Sequence, residues 1–108
     1  MKAYTAISME NLLKMHAANG ENYHEFLKVP DMSAGLYILE VGEQDTQSTH
    51  AEDEMYYIVS GKAGFYCDGK ETVVQTGQSI YVPKQMEHRF HSVVEKLQVL
   101  VFFAPTET

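Results

Sequence analysis

Apolar residues in this chain come in short runs closed by turn residues, a pattern that predicts strands from Ala34 onward. Gly35-Leu36-Tyr37-Ile38-Leu39-Glu40-Val41 is a nearly continuous apolar strand ended by Gly42. Met55 to Val59 forms a second run, which Ser60-Gly61 is expected to stop. Ala63 to Cys67 leads into Asp68-Gly69, a strong hairpin signal, and the chain returns through Thr72-Val73-Val74. Ser79 to Val82 runs up to Pro83, and two further strands are expected over His88–Val94 and Leu97–Phe103. Before this region the pattern differs. Ser8 is a good N-cap, Leu12, Leu13, His16 and Ala17 share one helical face, and Asn19-Gly20 closes a helix over 9–18. Tyr23 to Val29 then reads as a strand ended by Pro30-Asp31. The reading is all-β: a sandwich or small barrel over 34–108, with a short helix and a leader strand in 1–33 packed on it as one structural domain.

Composition narrows the picture. At 108 residues the chain has the size of one domain, and 44% hydrophobic residues suffice for a core. Fifteen acids against eight bases leave −7, so no nucleic-acid or anionic-membrane partner is expected, because both need clustered Lys and Arg. No signal-type run follows Met1, and no apolar stretch is long enough for a membrane helix. Cys67 stands alone, which excludes an internal disulfide and suggests a reducing compartment. It reads as a half-buried small hydrophobe. The expected location is cytoplasmic.

The candidate chemistry lies in Ser48-Thr49-His50-Ala51-Glu52-Asp53-Glu54-Met55-Tyr56. Side chains alternate faces along an extended segment, so His50, Glu52, Glu54, Tyr56 and Ile58 share one parity. A bare carboxylate inside a small barrel is costly unless it is paired or ligates a cation. On spacing alone, Glu52-Asp53-Glu54 reads equally well as a solvated acidic turn with His50 beside it. His16 and His24 have no carboxylate at ligand spacing and read as solvated or hydrogen-bonded histidines.

Two spaced patterns then coincide. His50-x3-Glu54-x6-Gly61 resembles the first motif of the cupin family, G-x5-H-x-H-x3,4-E-x6-G. Gly77-x5-Pro83 followed by His88 resembles the second, G-x5-P-x-G-x2-H-x3-N. Gln85 stands at the motif's Gly, Ser92 at its Asn, and Ser48 at its first metal-binding His. The resemblance covers residues of about 42–92 and implies a cupin double-stranded β-helix, or jelly-roll barrel, of six to eleven strands.

The same resemblance implies a ligand set. A hydroxyl is a poor ligand for most divalent transition metals, so Ser48 is not carried over, and His50, Glu54 and His88 remain. Two imidazoles and a carboxylate with open positions suit Fe, and also Mn, Ni or catalytic Zn. Tyr56 is a candidate catalytic acid on the same face, with a hydrogen-bonded core aromatic as the alternative. Glu52 is a substitute ligand or, more simply, a solvated acid, and His91 is expected to face away from the site. The family likeness leads first to a divalent-metal-dependent enzyme (a dioxygenase, isomerase, epimerase or lyase) acting on a small organic molecule. Alternatives are a non-catalytic, sugar-like ligand-binding or sensing module, and a barrel whose metal site has decayed. A homodimer is expected by the same analogy.

Overall fold

The computed structural model describes residues 4–46 and 49–107. Helix α1 spans Met9–Asn19, one residue beyond the expected end. Ser8 caps it by accepting the Asn11 N–H, and Gly20 ends it at φ 77°, donating its N–H to the His16 carbonyl. Six strands follow: β1 (Tyr23–Val29), β2 (Met32–Leu39), β3 (Asp53–Cys67), β4 (Lys70–Gln75), β5 (Ser79–Val82) and β6 (His88–Ala104). All their pairings are antiparallel, in the order β1-β2-β6-β3-β4, with β5 on β3 beyond the β4 pairing.

The main core fills the concave side with Tyr37, Leu39, Tyr56, Ile58, Phe65, Phe90, Val99, Val101 and Phe103. A second cluster explains why β2 is buried at every step after Met32. Leu36 and Ile38 point outward, where Leu12 of α1 covers them with Ile7, Leu13 and Phe26. The leader therefore roofs the outer face of β2, and β1 extends the same sheet.

Two strands are longer than the pattern suggested. Ser60-Gly61 does not stop β3, which runs on through both residues to Cys67. Gly61 sits at φ 116°, and a Cβ there would lie 2.3 Å from the Lys96 carbonyl oxygen. The glycine lets the β6 backbone come close while the register shifts on either side of it, so the strand bends instead of ending. Likewise His88–Val94 and Leu97–Phe103 form the single strand β6. No Gly or Pro separates them, and Ser92, at φ 51°, supplies only a kink. These long bent strands curl the sheet around its core. Among the described residues, no helix is long and apolar enough to cross a membrane.

Candidate metal centre

Strand alternation sets up the site. Glu52, Glu54, Tyr56 and Ile58 are buried, whereas Ala51, Met55 and Tyr57 between them are exposed. His50 lies just before β3, its carbonyl accepting the Gln85 N–H at 2.7 Å. His88 opens β6 opposite Cys67. The departures from the second motif keep its backbone: Gln85 and Ser92 adopt φ 65° and 51°, the left-handed region that Gly and Asn enter most readily.

Glu54, Tyr56 and His88 meet in the interior. His88 Nδ1 lies 2.8 Å from the Met86 carbonyl oxygen, which can only accept, so Nδ1 carries a proton. Its Nε2 lies 3.1 Å from the Tyr56 hydroxyl and 3.0 Å from Glu54 Oε1. The latter is a charge contact whose geometry falls short of an aimed hydrogen bond. Burial pulls the His88 imidazole down, but its contacts with Glu54 and the Met86 carbonyl, and the charges of Glu54 and Asp45, hold its pKa above the ordinary value. Burial, then the charges of Glu54 and Asp45, push the Tyr56 phenol well up, so it stays protonated.

His50 stands across from this group, its ring centre 6.2 Å from that of His88 and its ring edge-on to Phe103. Its Nδ1 lies 3.1 Å from Glu107 Oε2. Its Nε2 is buried and meets no hydrogen-bond partner. Glu107 itself is pushed up by burial, with His50 opposing and Glu54, Glu52 and Glu25 adding.

Beside His50 lies a cavity of about 320 Å³, with Tyr23, Tyr37, Thr46 and Glu107 among its walls. The Tyr23 hydroxyl is buried there without a partner. Its ring crosses Gly35, where a Cβ would come within 2.2 Å of it. Tyr37 donates to Asp45 at 2.7 Å, and the other oxygen of Asp45 takes the Phe90 N–H at 2.9 Å, which ties the 42–46 loop to the barrel. Burial first holds both phenols protonated, Asp45 adding for Tyr37 and Glu107 for Tyr23.

Other expectations divide. Glu52 is 4% exposed, so it is no solvated acid; its parity with Glu54 turns it inward. One nitrogen of His24 is buried without a hydrogen bond, unlike the solvated or bonded histidine expected there. His16 contacts the Asn22 carbonyl at 2.7 Å, and His91 pairs with Glu71 at 2.6 Å, away from the site. Cys67 is half-buried, its thiol 3.4 Å from the Met86 sulfur. Ser48 lies outside the described residues. Tyr56 is fully buried and reaches the site through His88. The contribution of Glu107 was not legible: it is a lone acid in Pro105-Thr106-Glu107, with no spacing signal toward His50.

The family model for the cupin domain matches residues 35–104, well over half of the chain. The chain is a cupin. It is 42% identical over 103 residues to an uncharacterized protein of Streptomyces coelicolor, covering 95% of this cupin and 98% of that protein. It is 30% identical over 69 residues to the polyketide synthase CurC of Streptomyces cyaneus, covering 63% of this chain and 45% of that one. An RmlC-like cupin from Shewanella frigidimarina superposes with a TM-score of 0.70 at 19% identity, covering 77% and 74% of the two chains, which shows the shared barrel.

Among the described residues, no three His, Cys, Asp or Glu side chains form a ready-made metal cage. The donor set nevertheless fits a divalent ion in kind. The Met86 carbonyl accepts from His88 Nδ1, a Glu107 carboxylate oxygen lies 3.1 Å from His50 Nδ1, and the His50 Nε2 is a buried atom without a partner. Glu54, 2% exposed, lies beside His88.

Proposed function

We propose that this cupin holds a divalent transition metal (Fe, Mn, Ni or Zn) through His50, Glu54 and His88, and is an enzyme acting on a small organic molecule. The buried, unpartnered Nε2 of His50 carries the reading, because leaving such an atom unsatisfied costs about 1–3 kcal/mol unless something binds it. Bound there, the ion would supply Lewis-acid polarisation of a substrate oxygen or a site for O2. The protein's own groups do the rest. The cavity beside His50 admits the molecule, with the protonated Tyr23 and Tyr37 side chains among its walls. Tyr56 orients His88 from within the core. The likeness to a protein named as a polyketide synthase makes polyketide-type molecules one candidate substrate class. Elemental analysis of protein purified without added metal or chelator tests the reading. About one equivalent is expected in the wild type and in His91→Ala, and none in His88→Ala; a His88→Ala protein with full metal content would remove the ligand assignment.

We also place a second copy of the chain on the outer face. Phe102, Met55 and Tyr81 are register neighbours across β6, β3 and β5, and Met55, Tyr57 and Tyr81 are 41%, 40% and 57% exposed. Such an apolar row on the outside of a sheet is a liability when left bare. Sedimentation should show a dimer that Tyr81→Arg combined with Met55→Glu converts to monomer; a monomeric wild type would end this proposal.

A further inference from the structure

We propose that Glu107 is the positioning residue for His50: its carboxylate fixes the imidazole in the Nδ1–H form and aims the Nε2 lone pair into the barrel. The inference rests on the metal reading and adds a residue that neither cupin motif contains. Glu107 Oε2 lies 3.1 Å from His50 Nδ1 in a charge contact, and the negative carboxylate favours the proton on that nitrogen. The neutral ring then has its lone pair on Nε2, the buried atom that meets no partner. On His88 the Met86 carbonyl, 2.8 Å from Nδ1, selects the same tautomer by a hydrogen bond. An acceptor or a negative charge at the far nitrogen sets the tautomer and raises the basicity of the ligating one.

The carboxylate is held by its own backbone anchors. Thr106 donates its hydroxyl to the Met32 carbonyl at 3.0 Å, and its N–H reaches the Pro30 carbonyl at 3.4 Å. The Glu107 N–H donates to the Ser33 hydroxyl at 3.1 Å, and Ser33 is fully buried. The tail after β6 is thereby folded back over the β1–β2 turn, with the side chain against His50. Glu107 also lines the cavity beside that ring, so the same contact closes one wall of the space a ligand would enter.

The test uses the full chain with Glu107→Ala and Glu107→Gln. Long-range proton–nitrogen NMR of the metal-free protein, recorded above the imidazole titration range, reads the tautomer of each histidine. Competition with a chromophoric chelator reads Zn²⁺ affinity. Wild-type His50 is expected as Nδ1–H, and Glu107→Ala should move it toward Nε2–H while His91, held by Glu71, stays unchanged. Zn²⁺ affinity should fall by about 10–100-fold. Glu107→Gln keeps an acceptor oxygen near Nδ1 without the charge, so it should shift the tautomer less than Glu107→Ala and lose less affinity. An unchanged His50 tautomer in Glu107→Ala overturns the proposal, as does unchanged Zn²⁺ affinity where the wild type binds. A wild type that binds no Zn²⁺, nor any of the other three metals, sinks the metal reading instead, and the tautomer shift alone then decides the role of Glu107.

Discussion

Replacing His88 by alanine is expected to cost the metal-free barrel about 3–5 kcal/mol near neutral pH, clearly more than replacing Glu54 by alanine. The two side chains form a charge contact at 3.0 Å and are 2% and 1% exposed, but they differ in what they do when left alone. Without Glu54, His88 sheds its proton cheaply at pH 7 and still donates to the Met86 carbonyl and accepts from Tyr56. Without His88, the buried carboxylate loses the partner beside it, and an unpaired buried charge is the costlier remnant.

The pH dependence follows from His88. Its pKa is raised in the fold, so the pair's contribution is fully present below the usual imidazole value of about 6.5 and is lost as pH rises through the higher folded value. Urea unfolding of metal-stripped proteins checks this. The gap between the wild type and His88→Ala should narrow as the pH is raised above neutrality. A Glu54→Ala protein weaker than His88→Ala at pH 7 would show that the buried carboxylate is not the group in need of a partner.

Gly61→Ala is the second large effect, expected to remove more than about 4 kcal/mol or to prevent accumulation of soluble protein. The added Cβ would lie 2.3 Å from the Lys96 carbonyl oxygen and 2.7 Å from Leu97 Cα, both backbone atoms of the paired strand, which cannot swing away. A positive φ adds strain for any side chain. Gly77→Ala separates the two causes, because Gly77 also has a positive φ, 90°, but nothing within 4 Å of its Cβ. That variant should lose only about 1–3 kcal/mol, the cost of the backbone conformation. Comparable losses in denaturant titrations of the two variants would mean that the close approach of β3 and β6 contributes nothing.

Helix ends, strand phases and the identity of the fold were legible because they depend on neighbours in sequence. Ser8 and Gly20 cap α1 through contacts within the first and last turns. The alternation from His50 to Ile58 already turned Glu54 and Tyr56 inward, and β2 and β5 fall where apolar runs meet turn residues. Strand ends were less legible. Ser60-Gly61 looks like a stop locally, and only the pairing with β6 shows that Gly61 permits contact instead. Glu52 reads as a solvated acid among acids, yet its parity places it inside.

By itself, then, the sequence determined an all-β cupin fold with a capped helix in front, and it offered His50, Glu54 and His88 as candidate ligands, because periodicity and motif spacing are carried by residues close along the chain. Only the tertiary structure decided how those three stand to one another and what holds them. It brought Tyr56 and Glu54 against His88, left the Tyr23 hydroxyl buried beside His50, and folded the tail back so that Glu107 meets His50. These contacts join residues far apart in the chain, and they form because burying the core closes the sheet, which no local pattern encodes.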